Sequence, residues 1–134
     1  MPAAERILIG GGMLLLVYAF ATGFLLSRAR SRTEVGPKYL VLAHTEPLMQ
    51  GTLMLALVWA ARLSTLPADL ETLAAVLMVT AAALQGGKEL LNWRQGVRDE
   101  FQERPLGWYA ARTQAVMSST GLVLFTIGTM RGLF

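Results

Sequence analysis

The chain has 134 residues, 54% of them hydrophobic, with twelve Lys and Arg against nine Asp and Glu and a net charge of +3. That length suits one domain, and a mean hydropathy of +0.46 points to lipid as its solvent. The absence of cysteine excludes disulfides, thiolate catalysis, iron–sulfur clusters and covalent c-type haem, and the basic residues do not cluster as they do on a nucleic-acid-binding face.

The first apolar run is Ile7 to Leu26. It is followed by Ser27-Arg28-Ala29-Arg30 rather than by a small-residue cleavage site, so it reads as a retained transmembrane helix. Tyr39 to Ala61, Leu70 to Leu91 and Tyr109 to Met130 are comparable runs. Each reaches the roughly 20 residues a helix needs to cross about 30 Å of hydrocarbon. In lipid the backbone must satisfy its own hydrogen bonds, which makes these segments helices. The expectation is an all-α, polytopic membrane protein: one domain of four transmembrane helices over about 7–27, 39–62, 70–93 and 109–131, in an antiparallel bundle.

The loops set the orientation. Arg28, Arg30, Arg32 and Lys38 lie between the first two spans, and Arg94, Arg98, Arg104 and Arg112 lie between or beside the last two. Positive residues favour the cytoplasm, so loops 28–38 and 94–108 should face it and both termini should face outward. The expected location is the bacterial inner membrane. Tyr39, Trp93, Trp108 and Tyr109 would form the interfacial belt.

The second span contains the only histidine, His44, followed by Glu46, Pro47, Met49, Gln50 and Gly51. His44 lies about 7 to 8 Å inside the helix start, counting from Tyr39. Pro47 cannot donate to the carbonyl four residues earlier, so it frees the carbonyl near Ala43. The third span carries Gln85, Lys88, Glu89 and Asn92 at i, i+3, i+4 and i+7, which is one helical face. That face must turn inward, because ionisable groups in lipid need partners. The fourth span adds Gln114 at matching depth, with Ser118 and Gly121 on the same side.

Two kinds of reading fit this polar layer. In the structural one, His44 bonds across the bundle, Lys88 and Glu89 snorkel to the interface, and Glu46 pairs with Lys88 or Arg112. In the functional one, the layer is a site. A neutral imidazole is a common haem ligand, and a single histidine leaves the iron of a b-type haem open on its other face. Zinc is less suited because it wants about four ligands, and Glu46 and Glu89 are the only evident companions. Met49 is a further conceivable iron ligand, whereas Met54, Met78, Met117 and Met130 read as bundle filling. Glycines at 10, 11, 12, 23, 86, 87, 121 and 128 allow close helix packing and association of copies.

The run Ala43-His44-Thr45-Glu46-Pro47-Leu48-Met49-Gln50-Gly51 resembles the Ala-His-Leu-Glu-Gly-x-Met-Asn-Gly signature of the four-helix membrane isomerases. That family includes styrene oxide isomerase and hydroxylaminobenzene mutase. Asn92-Trp93 resembles the Asn-Trp pair near the end of the family's third helix, and the four-span layout matches over nearly the whole chain. The resemblance implies a homotrimer with haem b at the subunit interfaces, bound through His44. It further implies that a small hydrophobic aromatic epoxide, or a related arylhydroxylamine, is rearranged by Lewis-acid opening and a hydride shift without net redox change. On this reading Gln50, Asn92 and Glu46 are the candidate catalytic residues. His44 is the iron ligand, and Lys88, Glu89, Gln85 and Gln114 are candidate cofactor contacts. Two departures stand out: the third span lacks the family's tyrosines before Asn-Trp, and Pro47 replaces the motif's glycine. A haem protein without isomerase activity and a small proton-coupled transporter are the alternative functions. A structural subunit is a further one.

Overall fold

The computed structural model describes residues 1–33 and 35–134; residue 34, inside the predicted 28–38 loop, lies outside the described residues. Among the described residues the fold is all-helical, with α1 (Ala3–Arg30), α2 (Lys38–Leu63), α3 (Ala68–Gln95), α4 (Glu100–Glu103) and α5 (Leu106–Leu133). Pro2, Pro37, Pro67 and Pro105 immediately precede the four long helices. Proline has no N–H to leave unsatisfied and its φ is already near the helical value, so it suits a helix start. These starts lie one to four residues before those expected from hydropathy. Helix α3 ends at Gly96, whose φ of 68° is left-handed, and Val97 N donates back to Asn92 O at 3.1 Å.

Helices α1 and α3 are each long and apolar enough to cross a membrane, and their 28 residues span about 42 Å. The short helix α4 was not expected. Asp99 caps it by accepting from Phe101 N and Gln102 N, while Glu103 accepts from Arg98 N and Asp99 N. Those two backbone donors hold the Glu103 carboxyl below the usual carboxylate range.

Residue pairs fix the packing. Glu5 meets Arg62, and Thr22 meets Ala43, so α1 and α2 run in opposite senses. Asn92 lies against Gly107, and Met78 against Gly121, which gives α3 and α5 the same relation. Tyr18 donates to Gly86 O, joining α1 to α3. Tyr39 of α2 bonds Glu100 of α4, so both basic loops lie at one end. The core contains Leu8, Leu15, Met54, Leu57, Met78 and Phe125, with the alanine-lined face of α3 between them.

Close backbone approach is built from glycine at the α1–α2 crossing. A Cβ on Gly51 would lie 2.9 Å from the carbonyl oxygen of Gly12, and one on Gly12 would lie 3.0 Å from that of Gly51. Backbone cannot rotate away as a side chain can. Gly51→Ala is therefore expected to cost about 1–3 kcal/mol, read as a lowered unfolding midpoint in detergent. Gly10 meets nothing within 4 Å and serves as the matched control.

Candidate functional site

The α1–α2 crossing is joined by side chains reaching backbone. Pro47 leaves the Ala43 carbonyl without its helical donor, and Thr22 Oγ1 supplies one at 2.9 Å. That hydroxyl also lies 3.0 Å from the Tyr18 and Ala19 carbonyls, but its one proton is best spent on the freed one.

One residue further on, His44 Nδ1 lies 2.7 Å from the carbonyl oxygen of Ala19. A carbonyl only accepts, so Nδ1 carries the proton. In the neutral ring Nε2 then holds the free lone pair, and among the described residues it makes no hydrogen bond. The imidazole lies over Gly23, where a Cβ would come within 2.8 Å of Nδ1 and Cε1. The half-buried ring borders an open groove of about 400 Å³ with Gly23, Leu26, Ser27 and Arg30.

The remaining polar residues assemble elsewhere. Lys88 bonds Glu89 and, at 3.1 Å, Glu100 Oε2. Glu100 N donates to Tyr39 Oη at 2.9 Å. Lys88, Glu89, Asn92 and Glu100 are all buried. Glu46 accepts from Gln85 Nε2 at 2.7 Å rather than pairing with Lys88 or Arg112. Gln114 bonds Ser118 on its own helix at 3.4 Å. Gln50 is half-buried and makes no hydrogen bond among the described residues. Asn92 is wholly buried against Gly107, with neither amide atom partnered.

The single layer expected from depth thus divides within one protomer. His44 faces α1, while Glu46 faces α3. Residues i and i+2 on a helix are about 200° apart, so adjacent-but-one side chains cannot share a face. Lys88, Glu89, Gln85 and Gln114 do not border the histidine groove; its own cation is Arg30. Lys88 and Glu89 do not snorkel but bury their charges together. Tyr39 is 6% exposed and acts as an internal acceptor, not a belt residue. Trp108 and Tyr109 stack edge to face, with Arg104 and Arg112 over the Trp108 ring. Met54 and Met78 fill the core, but Met130 and Met49 are exposed.

Sequence reasoning missed Thr22, Arg30 and Glu100. Thr22 was legible as the nearest donor for the carbonyl that Pro47 frees. Glu100 had no periodic signal, being one of four helical residues in a loop.

Among the described residues no three His, Cys, Asp or Glu side chains gather as metal ligands. Gly23→Ala is expected to turn the imidazole off the Ala19 carbonyl. The change is read as loss of the hydrogen-bonded Nδ1 proton resonance in the proton NMR spectrum of the purified chain. Compared with known proteins, the chain matches no family model, no curated protein and no solved structure.

Proposed function

We propose that this chain is a four-span antiparallel membrane bundle that binds haem b through His44, after the pattern of the four-helix membrane isomerases. One observation carries the proposal: Nδ1–H is tied to the Ala19 carbonyl, and Nε2 is left free beside an open groove. Metal-binding histidines are oriented in this way by a carbonyl on the second nitrogen. The residues fit the group. There is one imidazole, with Arg30 in the same groove to meet a haem carboxylate, and among the described residues no clustered ligands of a protein-only metal centre.

The outer surface supports a membrane location on every long helix. Phe20 on α1, Trp59 on α2, Leu73 on α3 and Val116 on α5 are all exposed. Apolar surface over all four helices marks contact with lipid or another copy. With both basic loops at one end, that end is cytoplasmic by the positive-inside rule, in the inner membrane of a bacterium. The histidine groove is open on one side, and a homotrimer would close it with a neighbouring protomer.

Bound haem would supply Lewis acidity, the chemistry that rearranges an aryl epoxide or arylhydroxylamine without net redox change. Nε2 of His44 would hold the group, and the Ala19 carbonyl holds the imidazole in the tautomer that leaves this nitrogen free. Arg30 would meet a carboxylate, and Leu26 gives the groove an apolar side. Haem binding without isomerisation is the second reading. It is favoured by the placement of Glu46 and Asn92 on the interior side, away from the His44 groove.

Titrating haem into the detergent-purified chain is expected to develop a Soret band that saturates near one haem per chain. A folded wild type that stays colourless in excess haem overturns the proposal. Incubating the loaded protein with styrene oxide and phenylhydroxylamine then separates the two readings.

A further inference from the structure

The Lys88 cluster on α3 and α4 has a charge imbalance that the haem reading does not use. Lys88 is 7% exposed, Glu89 2% and Glu100 8%. Two carboxylates share one ammonium, so the buried set has an excess negative charge. An uncompensated buried charge is among the costliest arrangements in a protein, and more so in lipid.

Hydrogen bonding shows the same deficit. Each carboxylate gives one oxygen to Lys88, and among the described residues Glu89 Oε2 and Glu100 Oε1 are left buried with no donor. Asn92 stands one turn beyond Glu89 on the same face, fully buried, with its Oδ1 and Nδ2 also unpartnered. The groups around the cluster are few. From α2 come Tyr39, whose hydroxyl takes the Glu100 N–H, Glu46, which is tied to Gln85, and Lys38 near the rim. Helix α5 presents Gly107 against Asn92, and its Arg112 is drawn to Trp108.

We propose that Glu89 and Glu100 together hold one bound proton, in a site closed by the short helix α4. A proton supplies the missing positive charge. It also turns one orphan acceptor into a donor inside the cluster, which eases the deficit of donors there. The site is also a latch. Glu100 fastens α4 to the bundle through Lys88 and through Tyr39. When the proton leaves, two charged carboxylates compete for one ammonium. Glu100, on a segment of four helical residues, is the one able to move outward. The basic end of the bundle thus opens on proton loss.

Infrared spectra and hydrogen exchange on the purified full chain test this, and neither readout needs haem. At neutral pH the wild type should show a protonated carboxylic-acid carbonyl band that shifts in heavy water. Glu89→Gln and Glu100→Gln should each abolish it, because either leaves one carboxylate with one ammonium. Glu46→Gln should leave it. Raising the pH should remove the band and, once the base catalysis common to all amides is divided out, lower the protection of the 98–104 amides in the wild type, but leave the protection in Glu100→Gln unchanged. The proposal is overturned by a neutral-pH spectrum without the band, or by a band that only Glu46→Gln removes. It is also overturned by sodium restoring slow exchange at constant alkaline pH, since a metal cation would then be the counter-charge. Glu100→Gln lies outside the long helices and keeps the test available if Glu89→Gln does not fold.

Discussion

On the proposed haem reading, His44→Ala is expected to abolish the Soret band of the haem-titrated protein while leaving helical content and oligomer size unchanged. The ring is half-buried at the edge of the α1–α2 crossing and contributes one hydrogen bond, to a carbonyl that also accepts within its own helix. Losing it should cost the fold about 1 kcal/mol. The crossing itself is held by Gly12 against Gly51 and by Thr22 on Ala43. The effect on the proposed haem site should be all-or-none, because among the described residues no second side chain lining the groove is an iron ligand. Imidazole added to the variant should restore part of the band, as the cavity left beside Gly23 can accept it. A retained band of full intensity in His44→Ala would place the haem elsewhere.

Lys88→Met is expected to be the most destabilising change in the bundle. Methionine fills a similar volume, so packing is largely kept and the charge alone is removed. Glu89 and Glu100 would then face each other buried and unpaired. Removing one partner of a buried ion pair costs about 3–5 kcal/mol. The loss should appear as a large drop in the unfolding midpoint in detergent. Lys88→Met combined with Glu89→Leu and Glu100→Leu should recover much of it, because replacing a whole buried ionic cluster by apolar groups is often neutral. A Lys88→Met protein as stable as the wild type would show that the cluster is solvated.

Helices were legible in this chain because lipid-length apolar runs leave few alternatives. Their ends were less so. Hydropathy placed the starts near 7, 39, 70 and 109, whereas the chain starts each helix directly after a proline, up to four residues earlier. The inward face of α3 was readable from the spacing of Gln85, Lys88, Glu89 and Asn92. What depth along a helix could not convey was azimuth. His44 and Glu46 lie at nearly the same level, yet one meets Ala19 and the other Gln85. Helix α4 was illegible because four residues carry no period. Its signals were local, with Asp99 and Glu103 bracketing it by side-chain bonds to backbone.

The Pro47 notch bears on how the bundle receives a guest. Because the Ala43 carbonyl is held by Thr22 of another helix, the two helices are locked in rotation as well as in distance. The imidazole next to that lock is aimed by the scaffold before any ligand arrives. Little ordering remains to be done when a ligand docks, so affinity is not spent on freezing a mobile arm. Loaded and empty forms should superimpose along α1 and α2, and occupancy should leave the flexibility of this pair almost untouched.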